Sequence, residues 1–164
     1  MKTRIYPALG AMFVTLAFLG PAAADVVCPE AQDGVPFHGT LRGAETDVPT
    51  FPTLSADGSG TGNATHLGKF QASWLITVNI STTPSPSTGT FEFIAADGSR
   101  LFTEVVGEGS GAPLAHITEC NTITGGTGRF AGASGAFAIH RVVDLATGDT
   151  SGSFGGTIVI HAPK

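Results

Sequence analysis

Glu104 is the acid whose neighbours promise chemistry. Segments 90–95 and 100–107 alternate apolar and polar residues and flank Asp97-Gly98, a strong two-residue hairpin signal. With that turn, Phe93 faces Phe102 and Phe91 faces Glu104. Phe91, Phe93, Phe102, Glu104 and Val106 then share one face, and Glu92, Ile94, Leu101 and Val105 the other. A carboxyl set among aromatic rings is harder to ionise and suits proton transfer. Glu119 is a second acid, with Ile117 and Ile123 on its face. The plainer reading of both acids is solvent exposure, or pairing with Arg129 or Arg141, and it is preferred to an acid–base couple. Trp74, Phe91, Phe93 and Phe102 are the best candidates to line a pocket, with Glu104 as its polar contact. Trp74 lies on an apolar strand face and is first of all a core residue.

Other chemistry finds less support. Cys28 and Cys120 are the only cysteines. Two cysteines in a secreted domain favour one disulfide, which would tie the N-terminal segment to a late strand. The rival is a catalytic thiol, but no histidine adjoins either cysteine in sequence. His38, His66, His116, His140 and His161 are scattered, with no pair at ligand spacing, so no metal site is assigned. Gly126-Thr127-Gly128 with Ala131 imitates a dinucleotide loop, yet no helix pattern follows to meet the phosphates. Ser134 has Gly132 before it but Ala136 after it, which fails the nucleophile elbow. No cofactor is implied.

The elements that must position these residues are strands. In 70–80, Phe70, Ala72, Trp74, Ile76, Val78 and Ile80 fall on one face, with mostly polar residues on the other. Period two with one dry face predicts an antiparallel sheet. Segments 37–41, 64–67, 115–124, 137–143 and 154–161 supply further strands, about eight in all. Residues 49–62, rich in Thr, Ser and Gly, and 81–89, with Pro84 and Pro86, read as rim loops. Closure into a barrel would remove exposed edges; a sandwich satisfies the same count.

Composition narrows the class. The chain has 164 residues, 13% of them charged, and 23 glycines. That is half the usual charge and about twice the usual glycine. Lys2 and Arg4, the apolar run 8–19 and Ala22-Ala23-Ala24 form a three-part secretory leader over 1–24. One domain, 25–164, remains, secreted or periplasmic, with no other stretch able to span a membrane. Net charge is −5, and the remaining basic residues are isolated, which argues against nucleic acid.

The run Ile123-Thr124-Gly125-Gly126-Thr127-Gly128-Arg129-Phe130-Ala131-Gly132-Ala133-Ser134-Gly135 resembles the ITGG-x-G-x-F-x-G-x-x-G signature of allene oxide cyclase and dirigent-like barrels. Segment 64–70, Asp97-Gly98 before Phe102, and Thr147-Gly148 before Phe154-Gly155-Gly156-Thr157-Ile158 fall in similar order. The resemblance spans most of 25–164, and only the glycine run is specific. It implies an all-β, calycin-like, eight-stranded antiparallel barrel with an apolar cavity, commonly a homo-trimer. Allene oxide cyclases rearrange an unstable fatty-acid epoxide without a cofactor, and dirigent proteins steer the coupling of phenoxy radicals. No catalytic residue carries over, because the signature is a structural turn. The expectation is a barrel binding a small apolar molecule. The alternatives are a cofactor-free cyclase or isomerase, and a structural or interaction module with a packed interior.

Overall fold

The computed structural model describes residues 26, 28, 29, 31 and 33–161. The expected leader, 1–24, lies outside them. Eight strands, β1 (Val35–Thr50), β2 (Thr53–Ala64), β3 (Gly68–Asn79), β4 (Ser85–Ala95), β5 (Arg100–Ser110), β6 (Leu114–Gly126), β7 (Ser134–Asp144) and β8 (Asp149–Val159), follow one another around a closed barrel. Each pairs antiparallel with its sequence neighbour, and β8 pairs with β1. No sheet edge is left open, which removes the template for edge-to-edge association. Among the described residues no helix is long and apolar enough to cross a membrane.

Two stretches expected as loops are strand. Residues 53–62 belong to β2, and β4 begins at Ser85. Strand β2 hides because Leu54 is the only large apolar residue among its inward positions; Ala56, Gly58, Gly60 and Gly62 carry almost no hydrophobic signal. Their smallness is nonetheless required. A Cβ on Gly58 would land on the Trp74 indole, and one on Gly62 on the Phe70 ring. Gly58 pairs with Trp74, and Gly62 with Phe70, so each large ring of β3 folds over the gap in β2 beside it.

The β4–β5 register also differs from expectation by one residue. Phe91 pairs with Thr103 and Phe93 with Leu101. The Gly98 amide donates to the Ala95 carbonyl, the Ala95 amide donates to the Ser99 carbonyl, and Gly98 sits at φ +81°. That is a three-residue loop with glycine in the left-handed position, not a two-residue turn. One extra loop residue turns every side chain of β5 to the other face. Leu101, Thr103 and Val105 therefore point inward, while Phe102, Glu104 and Val106 point outward.

The end of the barrel carrying the β2–β3, β4–β5 and β6–β7 turns is packed solid. Phe37, Phe70, Phe93, Phe137 and Phe154 meet with ring centroids 5.0 to 6.2 Å apart. Each buried Phe contributes roughly 1.5–3 kcal/mol. The glycine run shapes this end. Gly128 (φ +60°), which opens a short 3-10 turn, Gly128–Phe130, and Gly132 (φ +72°), which follows it, adopt left-handed backbone. That turn drives Phe130, fully buried, against the core. The Arg129 guanidinium donates to the Leu67 carbonyl (3.1 Å) and sits 3.4 Å from Asp97, joining the three turns. Outside the wall, Cys28 and Cys120 sit at disulfide distance, their Cα atoms 5.1 Å apart. The Ala31 amide donates to Thr157 Oγ1 on β8 (2.8 Å), so this segment crosses β7 and buries the outward-facing Ala136.

Candidate functional site

The other half of the barrel holds charge. On β1, Glu45 and Asp47 are two residues apart and share the inward face, in phase with Phe37 and Leu41. On β6, Glu119 points inward between Ile117 and Asn121; on β7, Arg141 does so between Ile139 and Val143. Arg141 Nε and Nη2 donate to the two Glu119 carboxylate oxygens at 2.9 and 3.0 Å, a two-pronged pairing. Its Nη1 donates to Glu45 Oε2 at 2.6 Å and lies 3.5 Å from Thr150 Oγ1. The three side chains are 0 to 3% exposed. Burial alone would push the Arg141 proton off; Glu119 and then Glu45 outweigh it and hold the guanidinium charged more firmly than usual.

Two glycines make room for this arrangement. Glu45 pairs across the sheet with Gly58, and Gly58 with Trp74. With no side chain between them, the Trp74 indole N–H reaches Glu45 Oε2 at 2.9 Å. Gly107 lies between β4 and β6 in the same way: a Cβ there would come within 2.8 Å of Glu119 Cγ and 3.0 Å of Ser87 Oγ.

Above the triad the barrel is hollow. A cavity of about 230 Å³ opens at the end carrying the β1–β2, β3–β4, β5–β6 and β7–β8 turns. Ala56, Ile76, Val78, Ala115 and Ile117 are among its walls, and Glu45, Glu119 and Arg141 form its floor. Asp47 and Ser87 also line it. Asp47 Oδ1 and Ser87 Oγ are both buried atoms with no hydrogen-bond partner among the described residues. Buried polar atoms are almost always satisfied, so two orphans facing one cavity leave hydrogen-bonding capacity open there. Burial, and then Glu45 beside it, pushes the Asp47 carboxyl above its ordinary range, with Arg141 pulling the other way. A wider hollow of about 780 Å³ on the outer wall over β1–β4 is shallow and open to solvent.

Trp74, Phe91, Phe102 and Glu104 of the expected site border one open hollow on the outer wall, and none of the five expected residues lines the mouth cavity. Trp74 is buried and braces the floor through Glu45. Phe91 stacks on Trp74 at 5.2 Å and on Phe93 at 5.6 Å, and both Phe91 and Phe93 sit in the packed interior rather than in the cavity wall. Phe102, 36% exposed, and Glu104 lie on the outer face, displaced by the one-residue register change. Neither can touch a molecule inside the barrel. Glu119 meets Arg141, the plainer of its two readings. Glu45, Asp47 and Ser87 were not foreseen. All five histidines are exposed. Among the described residues no three His, Cys, Asp or Glu side chains gather as metal ligands.

No protein-family model, curated protein or solved structure matches this chain.

Proposed function

We propose that this protein is an extracytoplasmic barrel of the allene oxide cyclase and dirigent-like kind that holds a small, largely apolar molecule in the cavity at its mouth. One observation carries this: a half-enclosed hollow with apolar walls contains two buried polar atoms that lack partners. Ligand sites commonly combine apolar walls with a few convergent polar groups. An apolar cavity of about 150 Å³ takes one benzene, so 230 Å³ accommodates roughly nine heavy atoms. The eight-stranded closed topology and the glycine run support the family resemblance. The pairing of Cys28 with Cys120 supports an oxidising compartment. The isomerase alternative loses its expected acid, because Glu104 faces solvent.

Native mass spectrometry of the protein recovered from its own host tests this. A small mass released on denaturation, and lost from an Ile117→Trp variant that fills the cavity, supports the proposal. A mass that survives in that variant places the ligand elsewhere and refutes it. Where the recovered protein is empty, titration with small apolar compounds decides: saturable binding abolished by Ile117→Trp supports it, and no binding refutes it.

A further inference from the structure

We infer that the molecule held in the mouth cavity is an amphiphile bearing an ammonium group, its apolar body against the walls and its N–H donors facing the floor. The inference rests on the ligand-holding proposal and adds the chemistry of the head group. Four titratable residues line the cavity: Glu45 and Asp47 from β1, Glu119 from β6 and Arg141 from β7. Three are acids and one is a base. The single base is already spent. Arg141 donates through Nε and both terminal nitrogens to Glu119 and Glu45, so the guanidinium has little left to offer an anion.

The capacity that remains open is for accepting hydrogen bonds. Asp47 Oδ1 has no donor, and Glu45 takes its two bonds from Arg141 and Trp74 on the same oxygen, Oε2. Ser87, 5% exposed, contributes a hydroxyl without a partner from β4, another strand of the cavity lining. A carboxylate head would add a like charge to an acidic, poorly hydrated site, which costs free energy at short range in a low dielectric. A neutral hydroxyl head would satisfy one acceptor and leave the surplus negative charge unanswered. An ammonium offers up to three donors and the opposite charge. Charge-assisted hydrogen bonds of this type are about twice as strong as neutral ones. The walls explain why the cation must carry a body: Ala56, Ile76, Val78 and Ile117 offer apolar surface that a bare inorganic cation would leave uncovered.

The test compares head groups on one body. 2-Phenylethylammonium, 2-phenylethanol and phenylacetate are titrated into the full chain near neutral pH, followed by octylammonium, octan-1-ol and octanoate. Binding is read by calorimetry and by the fluorescence of Trp74, whose N–H bonds to the floor. The expected result, in at least one series, is an amine at least tenfold tighter than its alcohol, with the carboxylate weakest. Asp47→Asn, nearly isosteric at a half-buried position, should weaken the amine about tenfold and the alcohol much less, so that the preference for the amine narrows. Equal binding of amine and alcohol, or a preference for the carboxylate, overturns the inference while leaving a ligand-holding barrel in place. Failure of all six compounds at millimolar concentration overturns both. Should Asp47→Asn fail to fold, the head-group order on the wild-type protein decides alone.

Discussion

Replacing Arg141 with methionine should destabilise the barrel by about 3–5 kcal/mol. The figure follows from burial. Arg141, Glu119 and Glu45 expose 2, 0 and 3% of their side chains, so neither carboxylate recovers a full hydration shell when its partner goes. The variant deletes a two-pronged bond to Glu119 and the 2.6 Å bond to Glu45 while adding apolar volume that meets neither need. Against a total stability of about 5–15 kcal/mol, such a loss is severe. For a domain of this size it lowers the melting temperature by roughly 10–15 °C. Urea unfolding measured at Trp74, the only tryptophan, gives the number directly. The midpoint should fall with little change in slope. Adding Glu119→Leu and Glu45→Gln to Arg141→Met should restore much of the loss, since apolar replacement of a whole buried ion cluster is often neutral. A loss below about 1 kcal/mol for Arg141→Met alone, the worth of a surface pair, would show that the triad is wet and refute it as a dry cavity floor.

Four further outcomes are expected. Cys28→Ser should cost about 4–5 kcal/mol by the chain-entropy relation for a 92-residue separation, read as the urea midpoint of the variant against the oxidised protein; a shift under about 1 kcal/mol would show that the bridge constrains little. Gly58→Ala should cost about 1–3 kcal/mol and change Trp74 emission, because the new Cβ displaces the indole that braces Glu45; an unchanged spectrum and midpoint would contradict the packing described. The raised Asp47 carboxyl binds its proton more tightly folded than unfolded, so its contribution favours folding in acid and is lost as pH rises from about 4 through its folded value. Asp47→Asn should therefore flatten that part of the melting profile and gain stability near neutrality, and a variant less stable than wild type at neutral pH would refute the assignment. Glu104→Gln, on the outer wall, should change stability by less than about 0.5 kcal/mol, Phe102→Ser, at 36% exposure, should cost about 1–2 kcal/mol, and both should leave ligand binding untouched, as titration and melting would show.

How much was legible depended on side-chain size more than on strand order. Strand β3 announced itself because Phe70, Ala72, Trp74, Ile76 and Val78 alternate with polar neighbours, and all five face inward. Strand β2 has the same alternation written in alanine and glycine, so a hydrophobic pattern passes over it. Its signal was complementary: large rings on one strand need small residues on the next. The β4–β5 faces turned on a single backbone detail, whether Gly98 is the second residue of a two-residue turn or the third of a three-residue loop. Asp-Gly is compatible with both, and the choice moved Glu104 from interior to solvent. The acids that line the cavity, Glu45 and Asp47, escape the sequence pattern for a related reason. The run Phe37, Gly39, Leu41, Gly43, Glu45, Asp47 keeps one phase throughout β1, but its last members are charged, and the strand was ended at Leu41. Continuing the phase through Thr50 would have put both acids inside.

The boundary between the two halves of the barrel bears on why the charges are there at all. Seven buried phenylalanines fill or flank the packed end, so this sequence is well able to close a barrel interior with hydrocarbon. At the level of Glu45, Glu119 and Arg141 it stops doing so. A buried ion cluster is seldom the most stable solution for a given volume, because desolvation offsets most of the attraction. Here it is accompanied by glycines at 58 and 107 that keep space open for charged and polar side chains, which sacrifices further packing. Stability alone would favour leucine at these places. An arrangement that gives up packing, fixes the only buried base among the described residues against two acids and leaves Asp47 and Ser87 unsatisfied is what the proposal of a molecule entering from the mouth requires. Filling the cavity with Ser87→Leu should accordingly raise the melting temperature while abolishing binding; if it lowers both stability and binding, Ser87 belongs to the core and not to a site.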